Sequence, residues 1–233
     1  MIITILRTNA TIDIKLTLIL ATVISAVLSI VVHEISHGYA ALACGDNTAK
    51  LANRLTLNPL AHFDWLGLVM LMFIGFGWAK PVPVNPNNFK HKKGGILFVS
   101  AAGVISNLLM CGISLLLLYF LYPYLVALIM SSSTVRILGY LILYFFEYMI
   151  ILNIMLAFFN FLPIAPLDGF NFVDSLLPVG NKYSYFMRKY GFIILLALLL
   201  ISNVLDYFGL EKFDVFYQVK SLAIALIDLV TGS

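Results

Sequence analysis

Val32-His33-Glu34-Ile35-Ser36-His37-Gly38 is a His-Glu-x-x-His sequence inside a long apolar run. Residues four apart lie on one face of a helix, so His33 and His37 can present two imidazoles to a single metal ion. Glu34 follows the first histidine, and from there its carboxylate can reach a metal-bound water without joining the coordination shell. The spacing therefore predicts a zinc site in which Glu34 acts as the general base.

The same pattern can also arise by chance on an ordinary helix, and the flanking sequence argues against that alternative. Neither the eight residues before His33 nor the seven after His37 include a charged side chain. Three ionisable groups thus stand where burying each one is expensive, and ionisable residues within membrane-spanning segments generally mark functional sites.

The whole chain has the composition of a membrane protein. Of its 233 residues 62% are hydrophobic and 11% are charged, whereas about a quarter of the residues of a soluble domain are charged. The net charge of +3 is small and spread over loops, so it gives no case for a nucleic-acid partner. Cys44 and Cys111 are isolated cysteines, and we expect both to be packing residues.

The apolar runs predict an all-α polytopic membrane protein with about four transmembrane helices. A turn is expected at Tyr122-Pro123, and Pro163 ends a later run. The uncharged stretch 65–79 is short and interrupted by glycines, which indicates a re-entrant or interfacial segment. The tail 211–233 is expected to form an interfacial helix. The predicted spans are residues 15–45, 96–121, 136–162 and 191–210.

The segment Lys80-Pro81-Val82-Pro83-Val84-Asn85-Pro86 has two interpretations. If it is extended, the two prolines leave one edge without N–H groups, and Val82 and Val84 donate along the other edge as a strand that pairs on one side. Alternatively, it is a stiff polyproline linker. The sequence favours the two equally.

The distribution of positive charge predicts the topology. If residues 65–79 do not cross, the lysines and arginines between 50 and 93 share the cytoplasmic side, and the N-terminus lies outside. His33, His37 and Asp168 then lie at the cytoplasmic ends of their helices. A zinc ion with two histidine ligands needs a third protein ligand, and Asp168 is the carboxylate at the right depth.

Three other polar residues attract attention. We expect Asn107, inside an apolar span, to bond to a neighbouring helix rather than to take part in catalysis. His62 and Asp64 precede the stretch 65–79. They either form hydrogen bonds to the ligands of the metal site or cap turns, and the sequence leaves both roles open.

Together these stretches resemble the site-2 protease family of intramembrane zinc metalloproteases, in particular its small branch without PDZ or CBS domains. The resemblance covers about residues 16–177. It departs at Ile105 or Ser106, where the family usually has a proline, and this affects only helix packing. The matching stretches are His33 to Gly38, Leu57 to Asp64, Gly77 to Pro86, Gly103 to Asn107 and Asn160 to Gly169.

The resemblance implies roles for individual residues. His33, His37 and Asp168 are implied to be zinc ligands, and Glu34 is implied to be the catalytic base. It also implies a membrane-embedded hairpin around residues 81–86 near the substrate path, and contact of Asn160 with the substrate backbone. Independently of the resemblance, the one-sided strand predicted at Val82 and Val84 is expected to bind an unwound substrate segment by strand addition.

We therefore expect one membrane-embedded metalloprotease domain over residues 1–233, with a catalytic core at about 16–177 and a C-terminal span and tail at about 191–233. Its expected function is zinc-dependent hydrolysis of peptide bonds in transmembrane helices, within regulated intramembrane proteolysis. The expected partners are a single-span substrate protein and the lipid bilayer, in a prokaryotic plasma membrane with the active site toward the cytoplasm.

The alternative is a metal transporter or channel that uses the same two histidines and aspartate as a transit site. Glu34 has no role in transit, and the sequence shows no paired inverted halves.

Overall fold

The computed structural model describes residues 10–62, 64–74 and 80–232, and these ranges contain helices and connecting segments without a β-strand. The all-α prediction is therefore confirmed. The helices are α1 (Ile12–Ala43), α2 (Thr48–Leu51), α3 (Trp65–Ile74), α4 (Lys92–Ile129), α5 (Ser133–Phe161), α6 (Asp168–Leu176), α7 (Lys182–Tyr207) and α8 (Val215–Thr231).

The predicted four transmembrane helices are confirmed. Helices α1, α4, α5 and α7 are each long and apolar enough to cross a membrane. The chain is thus a multi-pass integral membrane protein.

The predicted turn at Tyr122-Pro123 is wrong, because α4 continues through Pro123 to Ile129. A proline removes one backbone donor, and in a membrane bundle neighbouring groups compensate for that loss. The chain reverses at 130–132 instead, where the guanidinium of Arg136 donates to Ile129 O at 3.1 Å and satisfies a carbonyl at the end of α4.

Helix α3 has ten residues and spans about 15 Å at 1.5 Å per residue, roughly half of the hydrocarbon core. The helix alone is too short to cross. Residues 75–79, the rest of the predicted re-entrant stretch, lie outside the described residues, so re-entry remains a prediction.

Helices α1, α4 and α5 pack together as the centre of the molecule. The buried side of α1 is made of small residues, among them Ala21, Ser25, Ala26 and Ser29. Small side chains allow close approach of helix backbones in lipid, where the hydrophobic effect does not drive association. This packing places the His-Glu-x-x-His turn of α1 directly against α4.

The C-terminal part of the chain supports this bundle. Ala223 and Ile227 of α8 pack with Cys111, Leu118 and Ile150, so α8 docks on the α4–α5 hairpin. Cys111 is a buried packing residue, as predicted. The interfacial location of the tail remains a prediction.

Helix α7 positions the short helix α6. Leu195 packs against Ile164 and Leu167, and the hydroxyl of Tyr183 donates to Pro163 O at 2.6 Å. These contacts fix the loop between α5 and α6 and thereby the first residue of α6, Asp168.

Candidate active site

His33, His37 and Asp168 meet at one point, although 131 positions of sequence separate His37 from Asp168. The Nε2 atoms of both histidines lie 3.2 Å from Asp168 Oδ2 and 3.1 Å from each other. The two histidine residues are only 7% and 9% exposed. The structure thus brings together the three residues that the sequence predicts as metal ligands.

Hydrogen bonds orient both imidazoles toward this point. The Nδ1 of His37 is 2.8 Å from Val99 O, and the Nδ1 of His33 is 2.5 Å from Asn107 Oδ1. Both acceptors are oxygens of α4, so each Nδ1 carries a proton, and in the neutral imidazole each Nε2 then offers a lone pair. The two lone pairs then face an oxygen of Asp168.

This donor set fits a zinc ion. In a tetrahedral site with bonds of about 2.0–2.1 Å, ligand atoms lie about 3.3 Å apart, close to the observed spacing. Asp168 Oδ2 is buried and accepts no hydrogen bond from any residue in the described ranges. Two imidazole nitrogens and an unsatisfied carboxylate oxygen need a shared cation, and nitrogen–oxygen donors of this kind suit Zn²⁺.

Two glycines make this convergence possible. A Cβ at Gly103 of α4 would lie 2.6 Å from His37 Nε2 and 2.7 Å from His33 Nε2, inside van der Waals contact. A Cβ at Gly169 would lie 2.5 Å from Leu162 O, so only glycine lets α6 begin directly against the end of α5. Gly103 therefore makes room for the imidazoles, and Gly169 for the approach of Asp168.

Glu34 lies beside the three residues and contacts the segment 80–85. The N–H of Val82 donates to Glu34 Oε2 at 2.8 Å. A carboxylate has two oxygens, so this bond fixes one and leaves Oε1 for another donor. Glu34 also lines the same cleft as His33, His37 and Asp168, and its role as a base stays a prediction.

Residues 80–86 match neither the one-sided strand nor the polyproline linker fully. Their N–H groups donate to acceptors in different parts of the chain and not to a single neighbouring strand. Lys80 donates to His62 O, Val82 to Glu34 and Asn85 to Asp46. The N–H of Val84 has no acceptor within the described residues. Val84 lines the cleft, and its role in substrate binding stays a prediction, like that of Val82.

Asp46 anchors the far end of this segment. It is fully buried, and its carboxylate accepts from the N–H of Asn85, from Asn88 Nδ2, and from the N–H and hydroxyl of Thr48. Burial raises the pKa of Asp46, but these hydrogen bonds outweigh it and hold the pKa below its ordinary value of 3.8. The anchor is thus a charged carboxylate.

A cleft of about 830 Å³ leads to the site. Its wall is formed by the segment 81–89, the first two turns of α4, and α6 with the loop that follows it. Apolar residues such as Val82 and Leu167 line it together with charged ones such as Lys93 and Arg188. A cleft of this kind can hold a peptide segment with both apolar and polar side chains.

Asn160 also lines the cleft. Its side-chain nitrogen donates to Leu156 O at 3.0 Å, within its own helix. That bond fixes the amide and turns Asn160 Oδ1 away from Leu156 O. Contact with a substrate backbone remains a prediction for this residue.

The other polar residues are placed as follows. Asn107 bonds to both neighbouring helices, through His33 of α1 and Asn153 of α5, which confirms the predicted interhelical role. His62 Nε2 donates to Thr56 O, and Asp64 accepts from the N–H of Gly67. Both bonds are local, so the structure supports turn capping for His62 and Asp64.

Sequence reasoning missed Asn153 and Asp46. Asn153 is fully buried and donates to Ser29 Oγ and Met149 O while accepting from Asn107. The available signal was an amide inside a 29-residue apolar helix, since such a group needs partners in lipid. Asp46 had a weaker signal, because an aspartate just after a helix-ending Gly45 is ordinary in a loop.

Comparisons with known proteins agree with this geometry. The model of Peptidase family M50 matches residues 21–202. The chain is 40% identical over 177 residues to the Bacillus subtilis (strain 168) protein named "Putative zinc metalloprotease YwhC", which covers 76% of this chain and 78% of that protein. No solved structure gives a significant match. The chain belongs to peptidase family M50, and the resemblance found in its sequence is confirmed.

Proposed function

We propose that this member of a zinc metallopeptidase family is an intramembrane endopeptidase that cleaves the membrane-spanning segment of single-span proteins. His33, His37 and Asp168 are the zinc ligands, and Glu34 is the catalytic base. One observation carries the proposal. Two of the three convergent ligand atoms belong to a helix able to span the membrane, and all three residues line one cleft.

A bound zinc ion supplies a Lewis acid that makes water nucleophilic near neutral pH. Glu34 takes the proton from the attacking water through Oε1, the oxygen not held by Val82. It then delivers this proton to the nitrogen of the leaving amine, so one water adds across one C–N bond. The bond from Val82 keeps the carboxylate in place during both transfers.

The substrate must be locally unwound, because backbone groups of a transmembrane helix are bonded to one another and are shielded from attack. Val84 lines the cleft, and its N–H has no acceptor among the described residues, so this N–H is available to bind an extended substrate backbone. Asn160 lines the same cleft and offers a side-chain oxygen for the same purpose.

Charge supports a cytoplasmic active site. Lys90 is bonded through its N–H to Cys44 O at the end of α1, and Lys92 and Lys93 open α4 beside the cleft. Lysines in short loops mark the cytoplasmic side. Cleavage there releases a soluble fragment into the cytoplasm, which is the product that regulated intramembrane proteolysis requires.

A transport function is not favoured. Family M50 is a peptidase family, and the relative from Bacillus subtilis carries a metalloprotease name. The carboxylate of Glu34 beside the ligands also has a use in hydrolysis and none in ion transit.

The test uses purified protein in liposomes with a single-span substrate. Glu34→Gln should lower the cleavage rate by about 10²–10⁴-fold, the range for loss of a general base, while the bound zinc stays within twofold of the wild type. His33→Ala should lose both cleavage and bound zinc. Glu147→Gln is the matched control, because it changes a partly buried carboxylate of α5 that lies outside the cleft lining. Cleavage by Glu34→Gln at more than a tenth of the wild-type rate removes Glu34 from the base role.

A further inference from the structure

A continuous chain of hydrogen bonds crosses the buried centre of the bundle and ends at His33. It connects α1, α5 and α4 and then returns to α1. The residues are between 0% and 7% exposed, so water does not compete for their hydrogen bonds. The members are Ser25, Ser29, Asn153, Asn107 and His33.

The direction of this chain follows from its fixed acceptors. Met149 O is a backbone carbonyl and can only accept, so the group of Asn153 that faces it at 2.7 Å must be the NH₂. The same NH₂ donates to Ser29 Oγ at 2.8 Å, and the hydroxyl of Ser29 donates onward to Ser25 O. Asn153 Oδ1 therefore has to face Asn107.

The orientation of Asn153 then sets that of Asn107. Asn107 meets the oxygen of Asn153 at 2.8 Å and must present its NH₂ there. Its own Oδ1 is left to face His33 Nδ1. An oxygen cannot donate, so Nδ1 must carry a proton, and in the neutral ring His33 Nε2 is left with its lone pair toward Asp168.

His37 needs no such chain, because its Nδ1 bonds directly to Val99 O, which is itself a fixed acceptor. His33 is bonded to a side-chain amide, and an amide rotated by 180° would offer NH₂ to Nδ1 and favour a proton on Nε2. That state cannot bind a metal through Nε2. The orientation of Asn107 therefore decides whether His33 is ready to act as a ligand.

We propose that Asn153 is a positioning residue for the metal site: through Asn107, it keeps Nδ1 of His33 protonated and Nε2 free for zinc. The proposal rests on the proposed role of His33 as a ligand. Asn153 touches neither metal nor substrate, and its effect passes through the orientation of one amide.

Asn153→Leu tests this proposal, since leucine has the same branched arrangement of side-chain heavy atoms and lacks the oxygen that orients Asn107. Zinc affinity, measured by competition with a chelating dye, should fall by about tenfold, the lower end of the 10–100-fold range for partners of metal ligands. In the metal-free, ¹⁵N-histidine-labelled protein, His33 Nδ1 should be protonated in the wild type and should lose its proton in a measurable fraction of Asn153→Leu molecules.

Ser29→Ala is the matched control. It breaks a buried bond of the same chain, but Met149 O still holds the NH₂ of Asn153. Protonation of His33 Nδ1 and zinc affinity should therefore both stay at wild-type values. If these hydrogen bonds only stabilised the fold, Asn153→Leu and Ser29→Ala would instead have similar effects on Nδ1 protonation and on zinc affinity.

Three results would overturn the proposal. One is the absence of a proton on Nδ1 of His33 in the wild-type protein, and this measurement does not depend on the folding of any variant. The others are unchanged Nδ1 protonation in Asn153→Leu, and equal losses in Ser29→Ala. If Asn153→Leu does not accumulate as folded protein, Asn153→Ala removes the same oxygen and is judged by the same spectrum. The ring measurement uses metal-free protein, so its outcome is independent of whether the site hydrolyses peptides.

Discussion

Replacement of Gly103 by alanine should disable the metal site while the fold remains. Gly103 lies on the face of α4 that contacts both imidazoles. The added Cβ would lie 2.6 Å from His37 Nε2 and 2.7 Å from His33 Nε2, whereas ordinary contact begins at 3.4 Å. The two Nε2 atoms, the proposed metal ligands, must therefore move away, or α4 must move away from α1.

The two nitrogens would have to move by about 0.7–0.8 Å, and His33 Cε1 by more, which exceeds the roughly 0.5 Å within which a functional geometry must be held. Misplacement of reacting groups by about 1 Å costs on the order of 10²-fold in rate. We therefore expect Gly103→Ala to lower the cleavage rate about a hundredfold and to weaken zinc binding. Alanine also favours a helix over glycine by about 1 kcal/mol, so α4 itself should not be destabilised.

The assay measures zinc affinity, cleavage in liposomes and thermal unfolding for Gly103→Ala and for Gly112→Ala. Gly112 is the matched control because it lies on the same helix, and an added Cβ there has nothing within 4 Å. Gly112→Ala should keep zinc affinity and activity. Gly103→Ala protein that binds zinc within twofold of the wild type and cleaves at the wild-type rate would refute the assignment of this point as the metal site.

Two further predictions concern carboxylates. Asp168→Ala removes one of three proposed ligands, so zinc affinity should fall by more than the 10–100-fold expected for loss of an outer partner, and a smaller loss in the chelator competition would exclude Asp168 as a ligand. Asp46 has a lowered pKa in the folded protein, so its ionised form adds stability above pH 3.8, and this stability is lost as pH falls through the lower folded-state pKa. The unfolding temperature of the wild type should therefore exceed that of Asp46→Asn by a constant margin above about pH 5, and the margin should shrink below about pH 4; a margin that grows on acidification would contradict the charged anchor.

The sequence was sufficient for the helices and for the three convergent residues, because both depend on strong local signals. A segment that crosses lipid must be a long apolar helix, and ionisable groups inside such a segment are costly and therefore indicate a functional site. Spacing alone put His33 and His37 on one face, and charge in the loops put Asp168 at the same depth. The end of α4 was missed because Pro123 stops helices in water more reliably than in a membrane bundle, where neighbouring groups compensate for the missing donor.

The remaining features depend on pairings across the fold that no local pattern encodes. Asn153 looks like any amide in a span until its partners are known. The bond between Val82 and Glu34 joins residues 48 positions apart, and sequence reasoning had assigned the same N–H to a substrate.

The bond between Val82 and Glu34 also affects where a substrate could bind. The segment that lines the cleft is held at Asp46 by the N–H of Asn85 and at Glu34 by the N–H of Val82. Only Val84, between these two anchors, has an N–H without a described acceptor. A substrate strand bound there would thus lie at a fixed distance from the proposed base, because Glu34, which anchors the segment, is the carboxylate proposed to act as that base.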